Sequence, residues 1–143
     1  MSRKRHKTGI KAWLKPYGYS LERWSYFFQR VSGVVLLLYF IGHVIETGTI
    51  TGGFEVWLNT LNFTQNPFGH AILLIVILSG TFHAINGIRL YLTHQGYLLG
   101  KPERPEYPYY PKSFSRAQRV CFWLSVSIAL VFFLYGFNIL FGE

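Results

Sequence analysis

The chain has 143 residues, of which 50% are hydrophobic, 19% aromatic and only 14% charged, and fourteen Lys and Arg against six acids give a formal charge of +8. A soluble domain carries about 25% charged residues, and a disordered basic tail would lack the 27 aromatic side chains found here. A nucleic-acid-binding domain would spread its cations over a folded face. The composition therefore argues against all three classes, and we expect no nucleic-acid partner.

Charged side chains are instead absent from three long stretches, which lie between Arg30 and Glu46, between Glu55 and Arg89, and between Arg119 and Glu143. A helix needs about 20 apolar residues to cross a bilayer core of about 30 Å. The first stretch has 15 uncharged residues, so a spanning helix must extend beyond Arg30 and Glu46, whose long side chains can reach the interface. This predicts a first transmembrane helix over 24–47, with a buried helix of a soluble core as the alternative.

A short helix and two further transmembrane helices follow along the chain. Residues 54–61 lie in a loop of Gly, Thr, Asn and aromatic residues and suit a short helix on the membrane surface. Asn66-Pro67 is a helix-start signal, so a second transmembrane helix is predicted over 69–93, and the third charge-free stretch predicts one over 118–141. The fold class predicted is thus an all-α membrane protein.

The segment 101–111 contains four prolines, which exclude a helix there. Its tyrosines and charges suit either the lipid headgroup layer or a docked protein, and a solvated linker is the alternative. Cys121 is the only cysteine, which excludes an intramolecular disulfide and a cysteine-based metal site.

The cations predict the topology, because cytoplasmic flanks of transmembrane helices collect Lys and Arg. Seven lie in residues 1–23, five lie in the loop 94–119, and the other two are Arg30 and Arg89 at helix ends. The loop 48–68 and the C-terminus hold none. We therefore expect a basic cytoplasmic arm over 1–23, a transmembrane domain over 24–143 and an external C-terminus, in the inner (plasma) membrane of a prokaryote.

Polar side chains inside the membrane indicate function because each is costly unless it is paired or used. His83 lies in the middle of the second helix, where Gly80, Ala84 and Gly87 share its face at helical spacing. An imidazole among small residues suits the binding of a flat iron macrocycle. The alternative is a histidine hydrogen-bonded to a neighbouring helix, with the glycines serving close helix packing.

His43 lies on the first helix, thirteen residues after Arg30, which corresponds to about 20 Å at 1.5 Å per residue. His83 is six residues from Arg89, or about 9 Å. If the two arginines mark similar depths, the histidines differ by about 10 Å along the membrane normal. One iron takes both axial nitrogens at one place, so each histidine would need its own haem and a partner imidazole from another chain.

Arg30, with Ser32 and Gly33, places a fixed cation and a hydroxyl near the inner membrane edge. This pattern suits the carbonyl oxygens of a quinone whose tail stays in lipid, and equally an anchor for a lipid phosphate. His70 and His94 lie at opposite ends of the second helix and are expected to be interfacial, although His94 is also placed to meet a haem propionate.

Two strings carry a resemblance to a known family. Residues 28–34 (FQRVSGV) resemble the R-x-S-G signature of the cytochrome b anchor subunit of succinate dehydrogenase (complex II), and residues 82–89 (FHAINGIR) resemble its H-x-x-x-G-x-R motif. The order of the motifs, the length and the three-helix layout agree over almost the whole chain. The resemblance implies that the three helices form half of a haem-binding bundle.

The resemblance also implies the cofactors, partners and roles. His83 would be an axial ligand of haem b, Arg89 and His94 would neutralise propionates, and Arg30 and Ser32 would lie beside the quinone. The partners would be a second membrane anchor subunit, an iron–sulfur subunit and a flavoprotein with covalent FAD, and together they would pass electrons from succinate to quinone. This chain alone would not catalyse the reaction.

The sequence departs from the family pattern at the quinone site. Many members carry serine four residues before the arginine, where this chain has Tyr26, with Ser25 one place earlier. A histidine common just before the arginine is replaced by Gln29. We therefore expect Tyr26 and Ser25 to join Arg30 and Ser32 at the quinone.

The family also has a two-haem type, in which helices 1 and 2 each supply one ligand, and the depth difference favours that type for His43 and His83. Two other functions remain open: an anchor for a quinol:fumarate reductase, and a haem-free structural or transport subunit in which the intramembrane histidines and Arg89 pair with one another.

Overall fold

The structure is a computed structural model and describes residues 21–99 and 114–142. The regular elements in these ranges are all helical: α1 over Leu21–Gly48, a 3₁₀ turn over Thr49–Gly52, α2 over Phe54–Thr64, α3 over Pro67–His94 and α4 over Arg116–Phe141. α1 with the turn after it, α3 and α4 are long and apolar enough to span a membrane. The prediction of an all-α membrane protein with three transmembrane helices is confirmed.

Two expectations from the sequence lie outside the described residues or only partly within them. The basic arm over 1–23 is described only from Leu21 onward, and the proline-rich segment 101–111 lies wholly outside the described ranges. The short helix expected over 54–61 is present as α2 and extends to Thr64.

The start of α3 follows from the sequence signal at Asn66-Pro67. The Asn66 side chain accepts hydrogen bonds from the backbone N–H groups of Phe68 and Gly69, at 2.9 and 3.0 Å. Pro67, at the first helical position, has no N–H and so needs no acceptor. A Cβ on Gly69 would overlap the Thr64 carbonyl oxygen. Glycine at this position therefore allows α2 to end directly against the start of α3.

The first turn of α4 is capped by Ser115, whose hydroxyl accepts from the backbone N–H of Gln118 at 3.2 Å. The same hydroxyl donates to the Leu98 carbonyl at 3.0 Å, which ties the start of α4 to the segment after α3. That segment turns away at Gly96, where φ is +86°, a conformation that favours glycine.

α3 is the central helix, because it packs against both α1 and α4. Phe82 on α3 makes edge-to-face contacts with Phe28 of α1 and Phe122 of α4, each at 6.1 Å between ring centroids. Farther along, Gly136 of α4 lies so close to Ile77 that a Cβ would stand 3.1 Å from the Ile77 Cδ1. The core is thus formed where side chains of α1 and α4 pack against successive positions along α3.

The described arginines lie at one end of the bundle, which we call the arginine end. It comprises the start of α1, the end of α3 and the start of α4, which meet through a hydrogen bond from Arg89 to Ser25 and another from Gln118 to Thr93. The described arginines are Arg23, Arg30, Arg89, Arg116 and Arg119. The charge asymmetry expected from the sequence is therefore present in three dimensions.

The outer surface of the bundle is apolar. In the most hydrophobic window of α1 no residue is buried, and the exposed side chains there include Leu37, Leu38, Ile41 and Val44. Such a surface is unfavourable in water and is typical of contact with lipid or with another membrane subunit.

Candidate functional site

The imidazole of His83 is held against α1 by hydrogen bonds to its Nδ1. This nitrogen lies 3.1 Å from the backbone carbonyl oxygen of Gln29 and 3.1 Å from the hydroxyl of Ser32. The Ser32 hydroxyl in turn donates to the same Gln29 carbonyl at 3.1 Å. His83 thus contacts α1 at the serine of the R-x-S-G string and at the residue just before its arginine, and the two sequence motifs meet in space.

These contacts determine which ring nitrogen carries the proton. A carbonyl oxygen only accepts hydrogen bonds, so an unprotonated Nδ1 would set its lone pair against that of the Gln29 oxygen. With the proton on Nδ1, His83 donates to Gln29 and to Ser32, and the Ser32 hydroxyl remains free to donate to Gln29. The geometry therefore favours the Nδ1–H tautomer, in which Nε2 holds the free lone pair.

Gly33 allows the imidazole to approach α1 this closely. A Cβ at this position would stand 3.0 Å from the His83 Cε1, tighter than ordinary contacts. At Gly80 and Gly87 a Cβ would meet α1 side chains at 3.5 and 3.7 Å, which is ordinary van der Waals distance. Close packing against His83 therefore favours glycine at position 33, whereas positions 80 and 87 have room for a Cβ.

A buried polar network joins α1 to α3 next to His83; it consists of Ser25, Gln29, Asn86 and Arg89. Arg89 donates from Nε to the Asn86 oxygen at 2.8 Å and from Nη2 to the Ser25 hydroxyl at 2.9 Å. Because Arg89 only donates, it fixes the Asn86 amide with its nitrogen towards Gln29, whose side-chain oxygen accepts at 2.7 Å. Asn86 has no exposed surface.

The network ends on the backbone of the histidine itself. The Gln29 side-chain nitrogen donates to the His83 carbonyl oxygen at 3.3 Å. Donors thus run in one direction from Arg89 through Asn86 and Gln29 to His83. Sequence reasoning noted Gln29 only as a departure from the family pattern, whereas in the structure it holds His83 through both its backbone and its side chain.

A groove of about 690 Å³ opens at the arginine end between α1, α3 and α4. Its size falls within the range of about 300–1,000 Å³ typical of small-molecule sites. The guanidinium carbon of Arg30 lies 4.2 Å from the centre of the Tyr26 ring in this groove. It is lined by Glu22, Arg23, Ser25, Tyr26, Gln29, Arg30, Arg89, Leu90, Thr93, Leu99, Phe114 and Gln118.

The groove brings together three of the four residues predicted to bind quinone. Tyr26, Arg30 and Ser25 line it, although the Ser25 side chain is buried beneath Arg89. Ser32 is not among the lining residues, since its hydroxyl is turned to His83. Arg89, predicted beside a haem propionate, lines the groove and is held by the polar network, with the Phe114 ring 4.8 Å away.

His43 lies far from His83 along α1. His83 contacts the level of Gln29 to Gly33, and His43 follows Gly33 by ten residues, or about 15 Å. This separation exceeds the value of about 10 Å that the sequence predicted on the assumption that Arg30 and Arg89 lie at equal depth. The assumption fails because Arg89 bonds to Ser25, which lies nearer the start of α1 than Arg30. The histidines are therefore too far apart to ligate one iron.

The side chain of His43 is 45% exposed and contacts only its own helix among the described residues. Its ring stacks on Tyr39 with centroids 5.5 Å apart, and its Nδ1 lies 3.7 Å from a Glu46 carboxylate oxygen. His43 follows Ser25 by eighteen residues, which make five helical turns. It therefore lies on the α1 face that, at the arginine end, packs on α3.

The two other histidines within residues 21–99 and 114–142 lie at opposite ends of α3. His94 is its last residue and is exposed at the arginine end. His70 packs edge-on against Phe141 at the other end, with centroids 5.7 Å apart. Neither histidine lines the groove.

Sequence reasoning missed Gln118. Ser115-x-x-Gln118 has the form of a capping box, in which the glutamine side chain would return to the backbone of the capping residue. In the structure Ser115 caps α4, but the Gln118 side chain donates to Thr93 of α3 at 3.4 Å. Gln118 lies between Arg116 and Arg119, before the charge-free stretch begins, so the search for polar residues inside the membrane did not single it out.

The family comparison agrees with this geometry. The sequence model for the succinate dehydrogenase/fumarate reductase transmembrane subunit matches residues 4–134. The chain belongs to this family. Neither curated proteins nor solved structures gave a significant match.

As a succinate dehydrogenase/fumarate reductase transmembrane subunit, the chain is a membrane anchor of complex II and a multi-pass membrane protein. No group of three or more His, Cys, Asp or Glu that could cage a bare metal ion lies within residues 21–99 and 114–142. A haem iron needs less from the protein, because the macrocycle supplies four ligands and one histidine can supply an axial nitrogen.

Proposed function

We propose that this transmembrane subunit binds haem b and passes electrons from the iron–sulfur subunit of succinate dehydrogenase to quinone in the membrane. The observation that carries the proposal is the hydrogen bonding of His83. Its Nδ1–H is directed to the Gln29 carbonyl and Ser32, and Nε2 makes no hydrogen bond among the described residues. Iron-ligating histidines characteristically donate their other ring N–H in this way.

The residues around His83 fit an axial ligand. Haem, when bound, would supply one-electron transfer, while this chain supplies the axial nitrogen and fixes its orientation. Ser32 and Gln29 hold the ring, and Gly33 leaves the space that the ring occupies. The haem-free alternative, with His83 and Arg89 paired together, is not favoured because each has its own separate partners.

His43 supports a second haem. It lies about 15 Å from the level of His83, on the α1 face that packs on α3 at the arginine end. The His43 side chain is exposed, as an axial ligand would be if another subunit supplied the second axial imidazole. We therefore propose the two-haem type, with a second anchor subunit supplying the partner imidazoles and covering exposed apolar surface.

The groove at the arginine end is the proposed quinone site. Arg30 would polarise a quinone oxygen and stabilise the negative charge that develops during reduction. Tyr26 lies under its guanidinium and restricts its position. Two electrons and two protons convert the quinone to its quinol.

The arginine end is proposed to face the cytoplasm of a prokaryotic cell, by the positive-inside rule. The iron–sulfur subunit would dock there and carry the flavoprotein, and the quinone would lie beneath them. The C-terminus would then be external, as the odd number of spans requires.

The proposal is tested by purifying the membrane complex and recording a reduced-minus-oxidised optical spectrum, with haem quantified per covalent flavin. We expect a b-type α-band and two haems per flavin. One haem per flavin would leave His43 as a packing residue, and no α-band would overturn the haem function. Rates of succinate oxidation by quinone and of fumarate reduction by quinol, measured on the same sample, test the direction.

A further inference from the structure

Gln118, one of the residues that line the groove, carries an unsatisfied hydrogen-bond acceptor. Its side-chain oxygen Oε1 is the one buried side-chain polar atom without a hydrogen-bond partner within residues 21–99 and 114–142. The residue is only 4% exposed, and it lines the groove. A buried acceptor left unpaired costs about 1–3 kcal/mol, so its presence at a binding groove calls for a donor.

The hydrogen-bond network determines that this free atom is the oxygen and not the nitrogen. The Thr93 hydroxyl donates its one proton to the Arg89 carbonyl oxygen at 2.8 Å. The Thr93 oxygen can then only accept, and it accepts from the Gln118 Nε2 at 3.4 Å. Turning the amide over would set two acceptors against each other, so Oε1 is left as the unpaired atom.

Besides the Gln118 amide, the charged side chains that line the groove are three guanidinium groups and one carboxylate, that of Glu22. Arg23, Arg30 and Arg89 carry guanidinium groups, which cannot accept a hydrogen bond. These groups suit the carbonyl oxygens of an oxidised quinone. Gln118 Oε1 suits the opposite partner, a hydroxyl group, which a quinol has and a quinone lacks.

We infer that Gln118 makes the groove selective for the reduced ligand, with its Oε1 accepting a hydrogen bond from a quinol hydroxyl. The inference rests on the proposed quinone function of the groove and adds a residue on α4 to it. An oxidised quinone leaves Oε1 unpaired, whereas the quinol satisfies it. The groove therefore binds quinol more tightly with Gln118 than it would without this acceptor.

The test measures binding to the purified complex under anaerobic conditions with three probes: a short-tailed benzoquinone, its quinol, and the dimethyl ether of that quinol, which has no hydroxyl donor. Gln118→Leu removes the acceptor at nearly constant volume. We expect quinol affinity to fall about tenfold, with the affinities for quinone and dimethyl ether unchanged. The bound couple then shifts its midpoint potential by about 30 mV towards reducing values.

Leu90→Ala is the matched control, because Leu90 lines the groove with an apolar side chain. It should weaken quinone and quinol by the same factor and leave their ratio unchanged. Haem content and subunit composition identify intact complex, and Gln118→Met repeats the measurement if the leucine variant fails to assemble.

Equal loss of affinity for all three probes, or no loss for any, would overturn the role of Gln118, since an acceptor satisfied by water does not distinguish the two redox forms. If the wild-type complex binds neither quinone nor quinol, the proposed quinone function fails as well. The two failures are thus distinguishable by the wild-type measurement alone.

Discussion

The Nδ1 of His83 on α3 lies 3.1 Å from the backbone carbonyl oxygen of Gln29 on α1. Because the acceptor is a backbone group, no substitution at position 29 removes it directly. The contact fixes the height of α3 relative to α1 and the tautomer of the ring together. It is one of several hydrogen bonds that link the two sequence motifs carrying the family resemblance.

Ser32→Ala should raise the midpoint potential of the haem that His83 ligates. Removing one acceptor of the Nδ1 proton lowers the basicity of the axial nitrogen and so favours ferrous iron. One hydrogen bond is worth about 1 kcal/mol, which limits the rise to about 40 mV for a one-electron couple. A redox titration followed at the α-band measures it.

Ser127→Ala is the control for that titration, because Ser127 is exposed on α4 away from His83. It should leave the potential unchanged. An unaltered potential in Ser32→Ala would show that Ser32 does not act through the imidazole and would return it to the quinone role expected from the sequence.

Gly33→Ala should displace the His83 ring, because the added Cβ would stand 3.0 Å from Cε1. We expect a shifted α-band and reduced haem occupancy in the purified complex. Gly42→Ala on the same helix meets nothing within 4 Å and should leave the spectrum as in the wild type. Identical spectra for both variants would contradict the close approach of His83 to Gly33.

Asn86→Leu should destabilise the subunit strongly. The leucine removes the acceptor of Arg89 Nε and the donor to Gln29, both inside the bundle. Breaking a buried charged network by removing one partner costs about 3–5 kcal/mol. Thermal unfolding of the detergent-solubilised complex should show a lower midpoint, whereas Asn138→Leu, at an exposed position on α4, should not lower it.

Arg30→Ala should slow quinone reduction by about 10–100-fold, as expected for the loss of a group that stabilises developing charge. Succinate oxidation with a soluble dye that takes electrons before the membrane should stay unchanged. Arg116→Ala removes an exposed arginine at the same end of the bundle that does not line the groove. Equal rates for the two variants would contradict a quinone site at Arg30.

Sequence patterns were sufficient for the helices and for the start of α3 at Asn66, because helix starts depend on local side-chain capping. They were also sufficient to single out His83 and Arg30, since intramembrane polar residues are few. Pairings between helices were not predictable in the same way. They depend on the rotation and height of α1 against α3, and these are determined by packing at Gly33 and by the bond from Arg89 to Ser25.

Ser32 and Gln118 illustrate that limit. Ser32 stands only two residues after Arg30 in sequence, yet two helical steps of about 100° each turn it to His83 while Arg30 faces the groove. Gln118 has the sequence position of a capping residue, and only the proximity of Thr93 on another helix redirects its side chain. Neither orientation follows from local sequence alone.

The most direct test of the haem function compares reduced-minus-oxidised spectra of the complex carrying His83→Ala with those carrying His43→Ala, with haem quantified per covalent flavin. His43 lies about 15 Å along α1 from the level at which His83 contacts that helix. Each variant should therefore lose one haem, and the two losses should differ in α-band position or midpoint potential. Loss of the same haem from both variants, or full haem content in His83→Ala, would contradict the account.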